Sequence, residues 1–188
     1  MKKIIKNIIY AFYCRFYRVK QGKNGSISIP FKVVNYEGGE MIIGDDIDLS
    51  PGSLFMLLKP GAKISIGNRV RAARYFQINC AFDIQIGNNV NIGPYVFLGD
   101  HNHKYEDIEI PIRDQSIDMS KRNRISIGDD TWIGTKASII GNVKIGKHCI
   151  IGANSVVSKD IPDYCVAAGI PAKVIKKYNF GTKEWERV

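Results

Sequence analysis

From Ile127 the chain divides into consecutive sixes without a gap: IGDDTW, IGTKAS, IIGNVK, IGKHCI, IGANSV and VSKDIP. The first place is always aliphatic, from Ile127 through Ile133, Ile139, Ile145 and Ile151 to Val157, and the fifth is mostly small. The same rule runs upstream through IGNNVN, IGPYVF and LGDHNH from Ile86, and more loosely through IGDDID from Ile43 and IGNRVR from Ile66. An α-helix places apolar residues at spacings of three and four, and a half-buried strand at two. A period of six fits neither. It fits a coil of three short flat strands, each giving one aliphatic side chain to the interior, with glycine or another turn-compatible residue rounding the corner. Three sixes make one triangular turn, and turns stack edge to edge at about 4.8 Å.

The spacing of the Ile-Gly landmarks counts the turns. Ile127 to Ile145 is 18 residues, one turn, and Ile66 to Ile86 is 20, one turn plus two. Ile43 to Ile66 is 23, with the excess expected at LLKPGAK. Ile86 to Ile127 is 41, so 23 residues beyond one turn must leave the prism as a loop, at about 100–123. A long excursion from a regular solenoid marks function. This one holds His101 and His103, two of the three histidines in the chain.

The ends differ from the middle. Residues 2–18 carry Ile4, Ile5, Ile8, Ile9, Phe12, Phe16 and Tyr17 among Lys3, Lys6, Arg15 and Arg18, the pattern of an amphipathic helix. Such a helix either caps the open first coil or lies on an anionic membrane surface. The expected division is a helical segment over 1–22, the coil over 23–170 and a short extension over 171–188 that closes the far end as strand or helix.

With 188 residues and a net charge of +9, the chain suits one domain of ordinary size with short appendages. No apolar run approaches the roughly 20 residues that span a bilayer. The positive balance admits polyanions as partners, but the basic residues are scattered and no aromatic-basic motif accompanies them, so nucleic acid is not expected. Cys14, Cys80, Cys149 and Cys165 stand far apart with no C-x-x-C pair, which fits four reduced, buried thiols in a cytoplasmic protein. Peripheral contact with the inner face of the membrane remains an option through the first helix.

The stretch from Ile127, IGDDTWIGTKASIIGNVKIGKHCIIGANSVVSKDIPDYCVAAGIPAKVIKK, resembles the C-terminal half of the hexapeptide-repeat acyltransferases. The maltose, galactoside, colanic-acid and capsule O-acetyltransferases are the members it is most similar to. The resemblance implies an all-β, left-handed parallel β-helix, acetyl-CoA as donor with no metal required, and a homotrimer with active sites between subunits.

Moving an acetyl group from a thioester to a hydroxyl needs a base for the hydroxyl proton and a donor for the tetrahedral oxyanion. Histidine suits the first task. Counted ungapped, His103 falls in the sixth place of its repeat, where the resemblance puts the catalytic histidine; His101, two residues away, is the alternative. Asp100 is a candidate to orient the histidine or to bind the acceptor. The resemblance places Trp132 beside the base and CoA, the Thr135 N–H near the thioester carbonyl, and Ala153, Ser158 and Lys159 along the pantetheine arm. It places Lys173 and Lys176 at the CoA phosphates, where relatives often carry Arg, whose fork Lys lacks.

One departure limits the acceptor. The Asn and Asp that hold the sugar in galactoside-type enzymes fall at Ala73 and Ala81 here, with Asn79 and Asp83 nearby but out of register. The expected acceptor is therefore a sugar of a surface polysaccharide or its precursor rather than a galactoside or maltose. N-acetylation of a nucleotide-linked amino sugar uses the same donor site. A γ-class zinc hydratase would need three histidines, all that the chain has with His148. A glycan-binding solenoid without chemistry is the non-enzyme alternative.

Overall fold

The computed structural model describes residues 8, 11, 12, 14–16, 19–36 and 38–188. Six three-strand coils, from Lys20 to Val157, stack into a three-faced prism whose faces are parallel sheets. The first face runs from Lys20–Gln21 up to Val143–Ile145, the second from Ser26–Ile27 to Ile150–Ile151, the third from Phe31–Asn35 to Val156–Val157. We call the turn from first to second face the first corner, from second to third the second corner, and from third back to first the third corner. This is the expected all-β parallel β-helix.

The landmark spacing translates directly into register. Ile86 stands beside Ile66 below it and Ile127 above it, so the long loop returns without a slip. The five-residue excess lies at the third corner between Leu57 and Lys63, and the two-residue excess at the same corner between Cys80 and Asp83. Residues 100–123 leave from that corner too, after the strand Phe97–Gly99 and before Arg124–Ile127. All three irregularities therefore share one edge of the prism.

Along each strand alternate side chains point inward, and the aliphatic columns predicted from the sixes form the core. Phe55, in the third-face column between Val33 and Ile78, meets Phe31 and Phe76 edge to face at 5.5 and 5.4 Å. The small fifth places are buried, and where polar they are satisfied. The Thr131 hydroxyl donates to the Gly146 carbonyl at 3.1 Å, and the Ser155 hydroxyl accepts from the Gly169 N–H at 3.1 Å.

The glycines after the isoleucines do not round the corners by their own backbone freedom, as the sequence reading had it. They permit close stacking: a Cβ on Gly67 would lie 2.6 Å from the Gly87 carbonyl oxygen. The left-handed conformation falls two residues later, on Asp46, Arg69, Asn89, Asp130 and His148. The residue between carries the rest of the pattern. Asn68, Asn88 and Asp129 each accept, through the side-chain oxygen, a backbone N–H of the coil below at 2.7–2.9 Å. The Ile-Gly-Asp/Asn triplet is thus a ladder that satisfies corner backbone.

Part of the expected helix over 2–18 lies outside the described residues. Those described there are helical, and Cys14 is buried in the same core cluster as Ile27 and Phe31, so this segment covers the first coil. At the other end Cys165–Gly169 joins the second face parallel to Ile150–Ile151, and Ala172–Asn179 and Glu184–Arg187 follow antiparallel, extending that face to nine strands.

Candidate active site

The histidine loop grows out of the third corner, and Asp100 fastens it there. Its carboxylate is wholly buried. One oxygen accepts the Ala81 N–H at 2.7 Å, and the other accepts the Phe82 and Asp83 N–H groups, both at 2.8 Å. Those three donors are the two-residue excess and the start of the next strand, a corner with no coil mate to receive them. Three backbone donors satisfy the hydrogen-bonding capacity of the buried carboxylate. This corrects one expectation: Asp100 has no surface left for an acceptor sugar. It stands instead 3.6 Å from His101 Nδ1, which is buried and has no hydrogen-bond partner.

His101 and His103 are neighbours in space as well as sequence. Their rings meet edge to face with centroids 5.9 Å apart. The His101 side chain is 10% exposed, whereas His103 is exposed on the loop. His103 is held in an antiparallel bridge to Ile117, and the flanking Lys104 and Asp118 N–H groups donate to Ser116 and Asn102. Gln115 knits the loop tip by donating to the carbonyls of Asp107 and Ile110, each at 2.8 Å. Lys59 spans the corner, its Nζ 3.7 Å from the Phe82 ring centroid and 2.8 Å from Met119 Sδ on the returning limb.

Asn79 and Asp83 flank the same corner. Asn79 lies next to the end of the third-face strand Gln77–Cys80, beside Gly99, and its side-chain oxygen accepts from Gln77. Asp83 opens the first-face strand and pairs with Arg124 at 3.3 Å, leaving its other oxygen without a partner. Ser158 and Lys159 are exposed above, where the last third-face strand turns toward the first face.

The other predicted residues gather elsewhere. Trp132, 52% exposed, lies on the second face between Asn91 and Ile150. Lys176 continues that row beyond Val166, and Lys173 sits opposite Ala168. Thr135 and Ala153 follow the second-face strands at the second corner, one coil apart, and the Asn154 N–H donates to the Thr135 carbonyl at 2.8 Å. Among the described residues no acceptor takes the Thr135 N–H. The third face therefore separates two groups within one chain: histidines, Asp100, Ser158 and Lys159 on one edge, Trp132, Thr135, Ala153 and the two lysines on the other side.

His148 is remote from both histidines, at the first corner against Tyr164, ring centroids 5.7 Å apart. Among the described residues no three His, Cys, Asp or Glu side chains converge as a metal site. Sequence reasoning missed Cys80, whose sulfur lies 3.5 Å from Asp100 beside the loop. Burial, and then the Asp100 charge, push its thiol far above the ordinary range, so it is no nucleophile. The signal for this corner was the 20-residue spacing between Ile66 and Ile86.

The family pattern described as bacterial transferase hexapeptide (six repeats) matches residues 124–159. A solved structure of a galactoside acetyltransferase in complex with coenzyme A is 31% identical, with a TM-score of 0.64, over 84% of this chain and 72% of that one. This chain belongs to the hexapeptide-repeat acyltransferases. A probable acetyltransferase of Mycobacterium tuberculosis is 41% identical over 60% of this chain and 37% of its own length. A protein of Escherichia coli provisionally named lipopolysaccharide biosynthesis O-acetyl transferase WbbJ is 35% identical over 66% of this chain and 65% of its own. This member of the family thus spans less than two thirds of either of these two relatives.

Proposed function

We propose that this chain is an acetyl-CoA-dependent O-acetyltransferase acting on a sugar hydroxyl of a surface polysaccharide or its precursor, in a homotrimer with sites between subunits. The observation that carries the reading is that the third face separates the histidines from Trp132, Thr135, Ala153, Lys173 and Lys176. Ser158 and Lys159, assigned by resemblance to the pantetheine arm, stand on the histidine edge, where they would meet the CoA of an adjacent copy. A base on one edge cannot serve a donor on the other side of the same prism. It can serve the donor groups of an adjacent copy.

In this reading CoA lies along the second corner, with its phosphates toward Lys173 and Lys176 and its thioester at Thr135. The acceptor hydroxyl meets His103, the exposed member of the pair. His103 takes the hydroxyl proton as the oxygen bonds to the thioester carbonyl carbon. The oxyanion that forms takes a hydrogen bond from the Thr135 N–H. Collapse breaks the carbon–sulfur bond, and the proton returns from His103 to the leaving CoA thiolate. His101, pressed against His103 and backed by the Asp100 charge, positions that ring. Relatives named for O-acetyl transfer support a hydroxyl acceptor.

The test is turnover of radiolabelled acetyl-CoA against a panel of glycans and nucleotide-linked sugars and amino sugars. Transfer to a hydroxyl supports the reading. Transfer confined to amino groups gives N-acetylation, and failure to bind CoA leaves only a glycan-binding solenoid.

A further inference from the structure

The positive charge of this protein is concentrated at one end. Residues 1–36 contain eight Lys and Arg and no Asp or Glu, a charge of +8. The remaining residues hold 27 − 8 = 19 Lys and Arg against all 18 Asp and Glu, a charge of +1. None of the proposed catalytic groups lies in the charged end.

The same end exposes apolar side chains. Ile8, Phe12 and Phe16, four residues apart on helical backbone, are 63%, 65% and 68% exposed, while Cys14 on the same segment is buried in the core. Ile29 and Tyr36 on the first coil are exposed as well. Cations ring this surface: Arg15 on the helical segment, Lys23 at the first corner and Lys32 on the third face are exposed, and Lys20 on the first face pairs with Glu40. The helical segment therefore faces two ways, one side closing the coil and the other presenting a stripe of large apolar groups within a cationic rim.

We propose that this end of the prism docks on an anionic lipid bilayer surface, with Ile8, Phe12 and Phe16 inserted at the headgroup boundary and the surrounding Lys and Arg over the lipid phosphates. Apolar anchors with a basic rim are what interfacial binding requires. Charge selects this occupant over a second copy, since self-association here would set two +8 ends against each other. Among the described residues no helix is long and apolar enough to cross a membrane, and the proposed mode is lying on the surface. The capping and membrane readings of the segment, posed as alternatives from sequence, are two faces of one element.

The test is co-sedimentation of the full chain with phosphatidylcholine vesicles, with and without phosphatidylglycerol, at low and high salt. The expected result is binding at least about tenfold stronger to the anionic vesicles, reversed by salt. The variant Ile8→Ser/Phe12→Ser/Phe16→Ser should lose about tenfold in binding while keeping the wild-type melting temperature and acetyl-CoA binding. Should that variant fold poorly, Lys23→Glu/Lys32→Glu tests the rim on exposed positions and must weaken anionic binding. Equal binding to neutral vesicles, absence of binding, or wild-type binding by both variants overturns the proposal. So does a change of oligomeric state in the serine variant without lipid binding, which would assign the face to self-association. None of these outcomes bears on acetyl transfer, so this inference and the proposed activity fail separately.

Discussion

The Asp100 carboxylate accepts the Ala81 N–H at 2.7 Å from one coil above, closing a corner that the repeat itself leaves open. Replacing Asp100 with Ala strands three N–H groups, two of them buried. We expect a loss of about 3 kcal/mol, read as a fall in melting temperature of roughly 10 °C. Asn, which keeps one acceptor oxygen but loses the charge, should fall between. A wild-type melting temperature for Asp100→Ala would show that the clamp contributes nothing.

The two histidines should separate in kinetics. His103→Ala is expected to lower kcat by about 10²–10⁴-fold, since the proton then has no acceptor. His101→Ala should lower kcat less, shift the pH profile and leave the KM for acetyl-CoA unchanged, because it acts through the neighbouring ring. If His101→Ala alone abolishes turnover while His103→Ala does not, the roles are exchanged.

Lys173→Ala with Lys176→Ala should raise the KM for acetyl-CoA about tenfold with little change in kcat, the signature of lost ground-state binding to phosphate. Initial-rate measurements, or calorimetry with CoA, check this. Arg at both positions should bind at least as tightly as Lys, because its fork matches phosphate.

All four cysteines are buried and outside any disulfide. Burial raises the thiols of Cys80, Cys149 and Cys165, which keeps them protonated at neutral pH. Thiol reagents attack the thiolate. Native protein should therefore release almost no chromophore from a disulfide reagent, and denatured protein should react at all four positions. Rapid native labelling of Cys80 would contradict the packing around Asp100.

The coil was legible because a strict period of six leaves few other solutions, and even the lengths of the three irregularities could be read from the spacing of Ile43, Ile66, Ile86 and Ile127. The reason for the glycines was not. Composition ties glycine to corner flexibility, yet Arg69, Tyr75 and His148 adopt the left-handed conformation, and Gly67 is required by the coil stacked on it. Of the two roles open to Asp100, orienting the histidine or binding the acceptor, one sequence cannot choose, because it does not show that the donors this carboxylate satisfies come from a corner 17–19 residues earlier. The last two strands, Ala172–Asn179 and Glu184–Arg187, gave no period-six signal, since antiparallel pairing releases them from the coil. The candidate residues were legible individually; their division between two edges of the prism appears only once each place in the six is assigned to a face.

That division yields the most direct test. One variant carries His103→Ala. The other carries Trp132→Ala, Lys173→Glu and Lys176→Glu. Each should be nearly inactive alone. Co-refolded in equal amounts, they should recover about a quarter of wild-type activity if each site joins the histidine edge of one subunit to the donor face of the next. Failure of the mixture to regain any activity, with mixed trimers shown to form, would contradict a site built between copies.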